Sequence, residues 1–172
     1  MCIVIDANCL TTVFNDKNME HKKFRPVLRW IVAGKGKVVY GGRKYKKELN
    51  SCEKVIPLLA ELERAGKVLP VADERVDYHQ CRIEQQTSGS GFNDCHLAAI
   101  IIVSGCKLIC TSEKRAIPFL KKASLYPSHV KVPKIFRGYR QNTQLLSDKY
   151  IADCCKPTVK GTRELRLFFG LR

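Results

Sequence analysis

Negative charge is scarce in this sequence: 16 Asp plus Glu stand against 31 Lys plus Arg in 172 residues, a formal net charge of +15. A field of that size draws polyanions and makes their binding fall steeply with salt, so nucleic acid is the expected partner. Long apolar runs are also missing. Asp6 interrupts the opening run, and the longest later one, Leu97 to Ser104, is far too short to span a bilayer. Neither a signal peptide nor a membrane span is therefore expected, and the expected location is the cytoplasm. The chain has 9 cysteines and 4 histidines but no C-x-x-C pair. Its close cysteine pairs are Cys106/Cys110 and Cys154/Cys155, while His21, His79, His96 and His129 are scattered, so no familiar zinc pattern is completed. Cys2, Cys106 and Cys110 lie in or beside apolar runs and are read as reduced core thiols in a reducing compartment. Internal repeats and low-complexity tracts are absent as well. A phosphate-cradling glycine loop is also lacking. Gly34-Lys35-Gly36-Lys37 precedes a strand and Gly89-Ser90-Gly91 does not follow one, which excludes a Rossmann-type nucleotide site.

What is present is an ordinary globular complement, 45% hydrophobic, at a length that suits one domain. Short apolar runs at Cys2–Ile5, Lys37–Tyr40, Val68–Ala72, Lys107–Cys110 and within Val130–Phe136 read as strands. Helical segments are expected at His21–Ala33, Tyr45–Ala65, Glu74–Gln86, Phe92–Ser104 and Lys114–Lys122. Ala65-Gly66 and Ser104-Gly105 supply helix stops. Alternation of this kind implies an α/β fold, a parallel sheet with helices on both faces. The expected organisation is one domain over 1–140 and a basic extension over 141–172, docked or flexible, punctuated by Pro157, Gly161 and Gly170.

In an open parallel sheet, chemistry gathers at the carboxyl ends of the strands. Asp6 directly follows the first strand there, and Glu113 comes just after the strand ending at Cys110 and the turn Thr111-Ser112. Helices that follow a strand begin at the same edge, which brings in Glu48, early in one helix, and Asp94, in the first turn of another. Singly, each acid has an ordinary explanation as a turn residue, a helix-start residue or a solvated side chain. Together they form a group that repels itself unless protonated or bridged by cations. Hard oxygen ligands with vacant positions suit Mg2+ or Mn2+. Arg43, Lys44, Lys46 and Lys47 crowd round Glu48 with Tyr45 among them, and Lys114 and Arg115 follow Glu113. Such cations would hold a phosphate backbone, and exposed aromatics would stack unpaired bases. Lys131, Lys134, Arg137 and Arg140, interleaved with Phe136 and Tyr139, form a second basic stretch.

These motifs carry a family likeness. Ile3-Val4-Ile5-Asp6-Ala7-Asn8, Gly91-Phe92-Asn93-Asp94-Cys95-His96-Leu97-Ala98-Ala99 and Leu108-Ile109-Cys110-Thr111-Ser112-Glu113 resemble the three signature segments of PIN-domain nucleases, over residues 1 to about 137. The resemblance implies a three-layer α/β/α fold with a central parallel sheet of about five strands. It also implies hydrolysis of RNA at a Mg2+ or Mn2+ site held by Asp6, Glu48, Asp94 and Glu113. Asn8, Asn93 and Thr111 would orient those acids by hydrogen bonds. Many small members are toxins held inactive by a cognate antitoxin, so an inhibitory protein partner is implied, and homo-oligomerisation is left open. Two positions depart from the family pattern: Glu113 stands where Asp is usual, and Arg115 where a further acid often follows.

Two rivals belong beside the endoribonuclease reading. An RNA-binding module would gain nothing from an acidic pocket in a basic surface. A structure-specific DNA nuclease would carry more acids and additional DNA-binding elements.

Overall fold

The apolar run Cys2–Ile5 becomes β1, the middle strand of a five-stranded sheet whose order is β3-β2-β1-β4-β5. The other strands are β2 (Lys37–Tyr40), β3 (Val68–Pro70), β4 (Leu108–Cys110) and β5 (Lys134–Phe136), and every pairing is parallel. This computed structural model describes residues 2–150 and 152–171. Strand side chains alternate between two cores. Cys2, Val4, Val39, Ile109 and Ile135 enter one, while Ile3, Ile5, Val38, Leu108, Cys110 and Phe136 enter the other. Burial on both faces is why these strands read as unbroken apolar runs rather than as alternating ones.

Helices α1 (Ala7–Phe14), α2 (His21–Val32) and α4 (Ile56–Arg64) cover the second face. The first is covered by α5 (Asp73–Gln86), α6 (Cys95–Ser104) and α7 (Ala116–Leu120). The result is the three-layer α/β arrangement expected from the sequence. Several boundaries differ from expectation. The helix expected over Tyr45–Ala65 is two helices, α3 (Arg43–Asn50) and α4, because Pro57 sits in the first turn of α4. Proline restricts the residue before it and donates no N–H, so it starts a helix more readily than it continues one. β3 stops at Pro70, which has no N–H for the ladder, two residues short of the expected end. Helix α1 was not expected at all. It follows β1 with Asp6 alone between them, and that residue caps it by accepting the Asn8 N–H.

The basic extension crosses the amino edge of the sheet through short 3-10 turns, including Asp153–Cys155, to a final helix α8 (Arg163–Phe168). Cys155 is joined to Cys2 by a disulfide, with their Cα atoms 6.1 Å apart. That corrects the reading of Cys2 as a free thiol: apolar neighbours show that a cysteine is buried, not whether a second sulfur faces it. Cys106 and Cys110 are free and buried, as expected. Lys37 Nζ donates to the Pro157 carbonyl at 3.1 Å, and Lys67 Nζ donates to the Gly34 and Val159 carbonyls at 2.7 and 2.5 Å. Burial pulls the Lys67 ammonium down to about 8. Leu165 and Leu171 then bury in the second core.

The Gly161 N–H donates to the Gly34 carbonyl at 3.2 Å, and any Cβ at 161 would overlap the Val32 carbonyl oxygen. Backbone on both sides leaves little room to relax. Gly161→Ala is therefore expected to cost about 1–3 kcal/mol. The cost would be read as a lower thermal midpoint together with faster proteolysis after residue 156. An unchanged midpoint and digestion pattern would show that this close approach does not anchor the extension.

Candidate functional site

Asp6 is set by the register of two central strands. Ile5 pairs with Cys110, so the next residue of each strand, Asp6 and Thr111, leaves the carboxyl edge side by side. The Asp6 N–H donates to the Cys110 carbonyl at 2.9 Å, and the Thr111 hydroxyl donates to Asp6 Oδ2 at 2.7 Å. Asp6 Oδ1 accepts the Asn8 N–H at 3.0 Å. Only 2% of Asp6 is exposed. Burial raises its pKa despite these hydrogen bonds, and the Glu48 charge adds to the rise.

Glu48 reaches the same edge because of Tyr45, one helical turn before it in α3. The Tyr45 hydroxyl donates to the Ile5 carbonyl at 2.6 Å, which pins that face of the helix to the end of β1. Tyr45 is wholly buried, with its ring centroid 6.2 Å from that of His96. This overturns its reading as an exposed base-stacking aromatic among cations: the spacing that exposes its lysine neighbours turns Tyr45 inward. Glu48 is half-buried, and its Oε2 lies 3.2 Å from Nε2 of the fully buried His96. The contact holds the Glu48 carboxyl below the usual carboxylate range. Neither His96 ring nitrogen makes an aligned hydrogen bond among the described residues, so the two groups approach closely without a directed bond.

Asp94 stands at the N-cap of α6, yet its side chain makes no capping hydrogen bond. The ordinary explanation of an aspartate at this position therefore does not use the carboxylate. Its pKa is raised first by burial and then by the charges of Asp6 and Glu48, while His96 and Lys44 act the other way. Lys44 Nζ donates to the carbonyl of the neighbouring Asn93, whose side chain is exposed.

Glu113 is placed by its N–H, which donates to Thr111 Oγ1 at 3.1 Å. Its Oε1 accepts from the Arg115 backbone N–H at 3.0 Å and from Arg115 Nε at 3.3 Å. These bonds lower the Glu113 pKa. Glu113 and Asp94 border one cleft of about 160 Å3 with Asn8, Asn93 and Arg115. Asp6, Glu48 and Asp94 thus share one electrostatic neighbourhood, and Glu113 flanks it with its carboxylate engaged by Arg115. Among the described residues, no three carboxylates bring their oxygens within 4.8 Å of one another. The cleft that Asp94 and Glu113 border does not include Asp6 or Glu48, so the donors that could meet a hard ion such as Mg2+ or Mn2+ there are Asp94, Glu113 and the neighbouring amides.

The cations divide into two groups. Arg43 pairs with Asp77 at 3.4 Å and Lys46 with Asp73 at 2.5 Å, both partners lying on α5. Lys47, Lys114 and Arg115 are exposed, and Lys44 leans over the acids. In the second basic stretch, Phe136 is core and Tyr139 is exposed beneath the Arg137 guanidinium, 5.1 Å from the ring centroid. His96 and the α5 acids were not foreseen as parts of the site. His96 lay within a quoted motif, but nothing local to it reports contact with a residue 48 positions earlier.

The raised pKa values of Asp6 and Asp94 have a consequence for stability. Acids that hold protons more tightly folded than unfolded destabilise the ion-free protein as pH rises above the ordinary carboxylate range. Asp94→Asn is expected to raise the thermal midpoint in EDTA at neutral pH, by a few degrees at most. The gain should vanish in acid, where both forms are neutral. Mn2+ should stabilise the wild type more than the variant. Equal Mn2+ shifts in the two proteins would place Asp94 outside any ion site. No family model matches this chain, and no characterised protein matches it in sequence.

Proposed function

We propose that this protein is a Mg2+- or Mn2+-dependent endoribonuclease whose ion is held by Asp6, Asp94 and Glu48, with Glu113 at the rim. The observation that carries the reading is the gathering of Asp6, Glu48 and Asp94 at the carboxyl edge of the sheet, where the charges of Asp6 and Glu48 act on Asp94 and that of Glu48 acts on Asp6. Three acids gathered at one edge, only partly offset by Lys44 and His96, would accommodate a cationic occupant. The ion would polarise the scissile phosphate and acidify the attacking water. The chain's own residues do the positioning. Thr111 and the Asn8 N–H fix the Asp6 carboxylate, His96 keeps Glu48 ionised, and Lys44, Lys47 and Lys114 face the incoming phosphates. RNA is preferred to DNA because the sequence carries neither the further acids nor the additional DNA-binding elements expected of a structure-specific DNA nuclease.

A second reading, an RNA-binding module of weak activity, is favoured by one specific observation: Glu113 is engaged by Arg115 rather than turned wholly to the cleft. Cleavage assays decide between the two. Asp6→Asn and Asp94→Asn are each expected to lower RNA cleavage by at least about 100-fold, the upper end of what even indirect partners of a metal cost. Circular dichroism should stay unchanged. Cleavage within a few-fold of wild type in both variants would refute the acid assignment, and no cleavage by wild type with Mn2+ would favour the binding module.

The cation pairing adds a finer expectation. Lys44 and Lys47 are unencumbered by α5, whereas Arg43 and Lys46 are spent on Asp77 and Asp73. Neutralising Lys44 and Lys47 together should lower the slope of log affinity against log salt by about 1–2. Neutralising Arg43 and Lys46 should lower it less. The reverse order would mean that RNA approaches from the α5 side.

A further inference from the structure

The amino edge of the sheet holds a second concentration of ligand chemistry, on the far side from the acids. Cys2 opens β1, and the turn Asp153–Cys155 sets two consecutive cysteines against it. The Sγ atoms of Cys2, Cys154 and Cys155 all lie within 4.8 Å of one another, with Cys154 and Cys155 at 3.6 Å. Among the described residues this is the one trio of His, Cys, Asp or Glu ligand atoms so close. Cys2 and Cys155 are fully buried and disulfide-bonded, while Cys154 is half-buried and free. A single disulfide would need only two of these sulfurs, and the third is left beside it with no chemistry of its own.

We propose that the reduced trio is a three-thiolate site for a thiophilic d10 ion, Zn2+ or Cu+, which takes over from the disulfide the task of tying the C-terminal extension to β1. Metal–sulfur bonds of about 2.3 Å at tetrahedral angles set sulfurs about 3.8 Å apart; Cys154 and Cys155 already stand near that spacing at 3.6 Å, and Cys2 lies within 4.8 Å of both. Thiolates select such ions over Mg2+ and Mn2+, so this site and the carboxylate edge would not compete for one metal. Cys154, the partly exposed member of the trio, supplies the entry path for the ion. Opening the disulfide takes two electrons from a reductant and two protons: two thiols supply both and become a disulfide, whereas a phosphine supplies the electrons and becomes its oxide, water giving the oxygen and the two protons. Ion binding then displaces three thiol protons.

The test uses the full chain, reduced by a phosphine without oxygen and then freed of it. One equivalent of Zn2+ should bind, and Co2+ in its place should give intense near-ultraviolet thiolate-to-metal absorption. Cys154→Ser should weaken Zn2+ binding by about 10-fold or more while leaving the Cys2–Cys155 disulfide free to form. The melting temperature of the oxidised variant, equal to wild type, would show that its fold is intact. Asp94→Asn and Cys81→Ser should bind Zn2+ as wild type does. A parallel titration against a Cu+ chelator identifies the ion: uptake of Cu+ without Zn2+ keeps the site and assigns copper. Failure of the reduced protein to take up either ion, absence of thiolate absorption, or equal Zn2+ affinity in wild type and Cys154→Ser would overturn the proposal. None of these outcomes depends on RNA cleavage.

Discussion

Asp6 makes the contact on which the carboxyl edge depends. Its backbone N–H extends the β1–β4 ladder to the Cys110 carbonyl, its two carboxylate oxygens accept from Thr111 and Asn8, and its position caps α1. One residue therefore ends a strand, starts a helix and links two strands, all while holding a buried charge. The two hydrogen bonds to the carboxylate are what make such burial tolerable, because a carboxylate without them would be expelled or neutralised. They do not cancel the cost of burial, which leaves the Asp6 pKa raised.

Around that residue, basic and acidic groups are segregated by secondary structure rather than mixed. The acids come from strand ends and helix starts, whose backbone directions converge on one edge. The cations come from the outward face of α3 and the turn after Glu113. Helix α5 supplies Asp73 and Asp77, which also hold the Gly42 and Arg43 N–H groups at the start of α3. Gly42 is at φ 85°, and a Cβ there would press on Val76 of α5, so the entry to α3 needs both the glycine and the α5 carboxylates. Two of the cations near Glu48, Arg43 and Lys46, are thereby engaged by α5, whereas Lys44 and Lys47 are not.

The opposite edge is secured by different means. Lys67 and Lys37 donate to carbonyls of the extension, Gly161 permits backbone to lie on backbone, and the sulfur trio joins β1 to the Asp153–Cys155 turn. The extension passes from one core to the other beneath the strands, since Cys155 belongs to the first and Leu165 to the second. It leaves the acid edge uncovered.

The strand positions were legible because burial on both faces removes alternation and leaves short apolar runs bounded by turns. β1 and β2 match their expected spans residue for residue. The convergence of Asp6, Glu48 and Asp94 was also legible, since parallel topology alone carries strand ends and helix starts to one edge. The split at Pro57 and the helix after Asp6 were written in the sequence but outweighed by longer apolar patterns. Other features had no local trace. The close approach of His96 to Glu48, the inward turn of Tyr45, the capture of Arg43 and Lys46 by α5, and the meeting of Cys2 with Cys154 and Cys155 all join residues separated by 27 to 153 positions. Sequence pattern fixes which face a residue presents, because helix and strand periods are local. Which partner waits on that face is decided only when distant segments pack, and here that decided which charges stay free and which sulfurs meet.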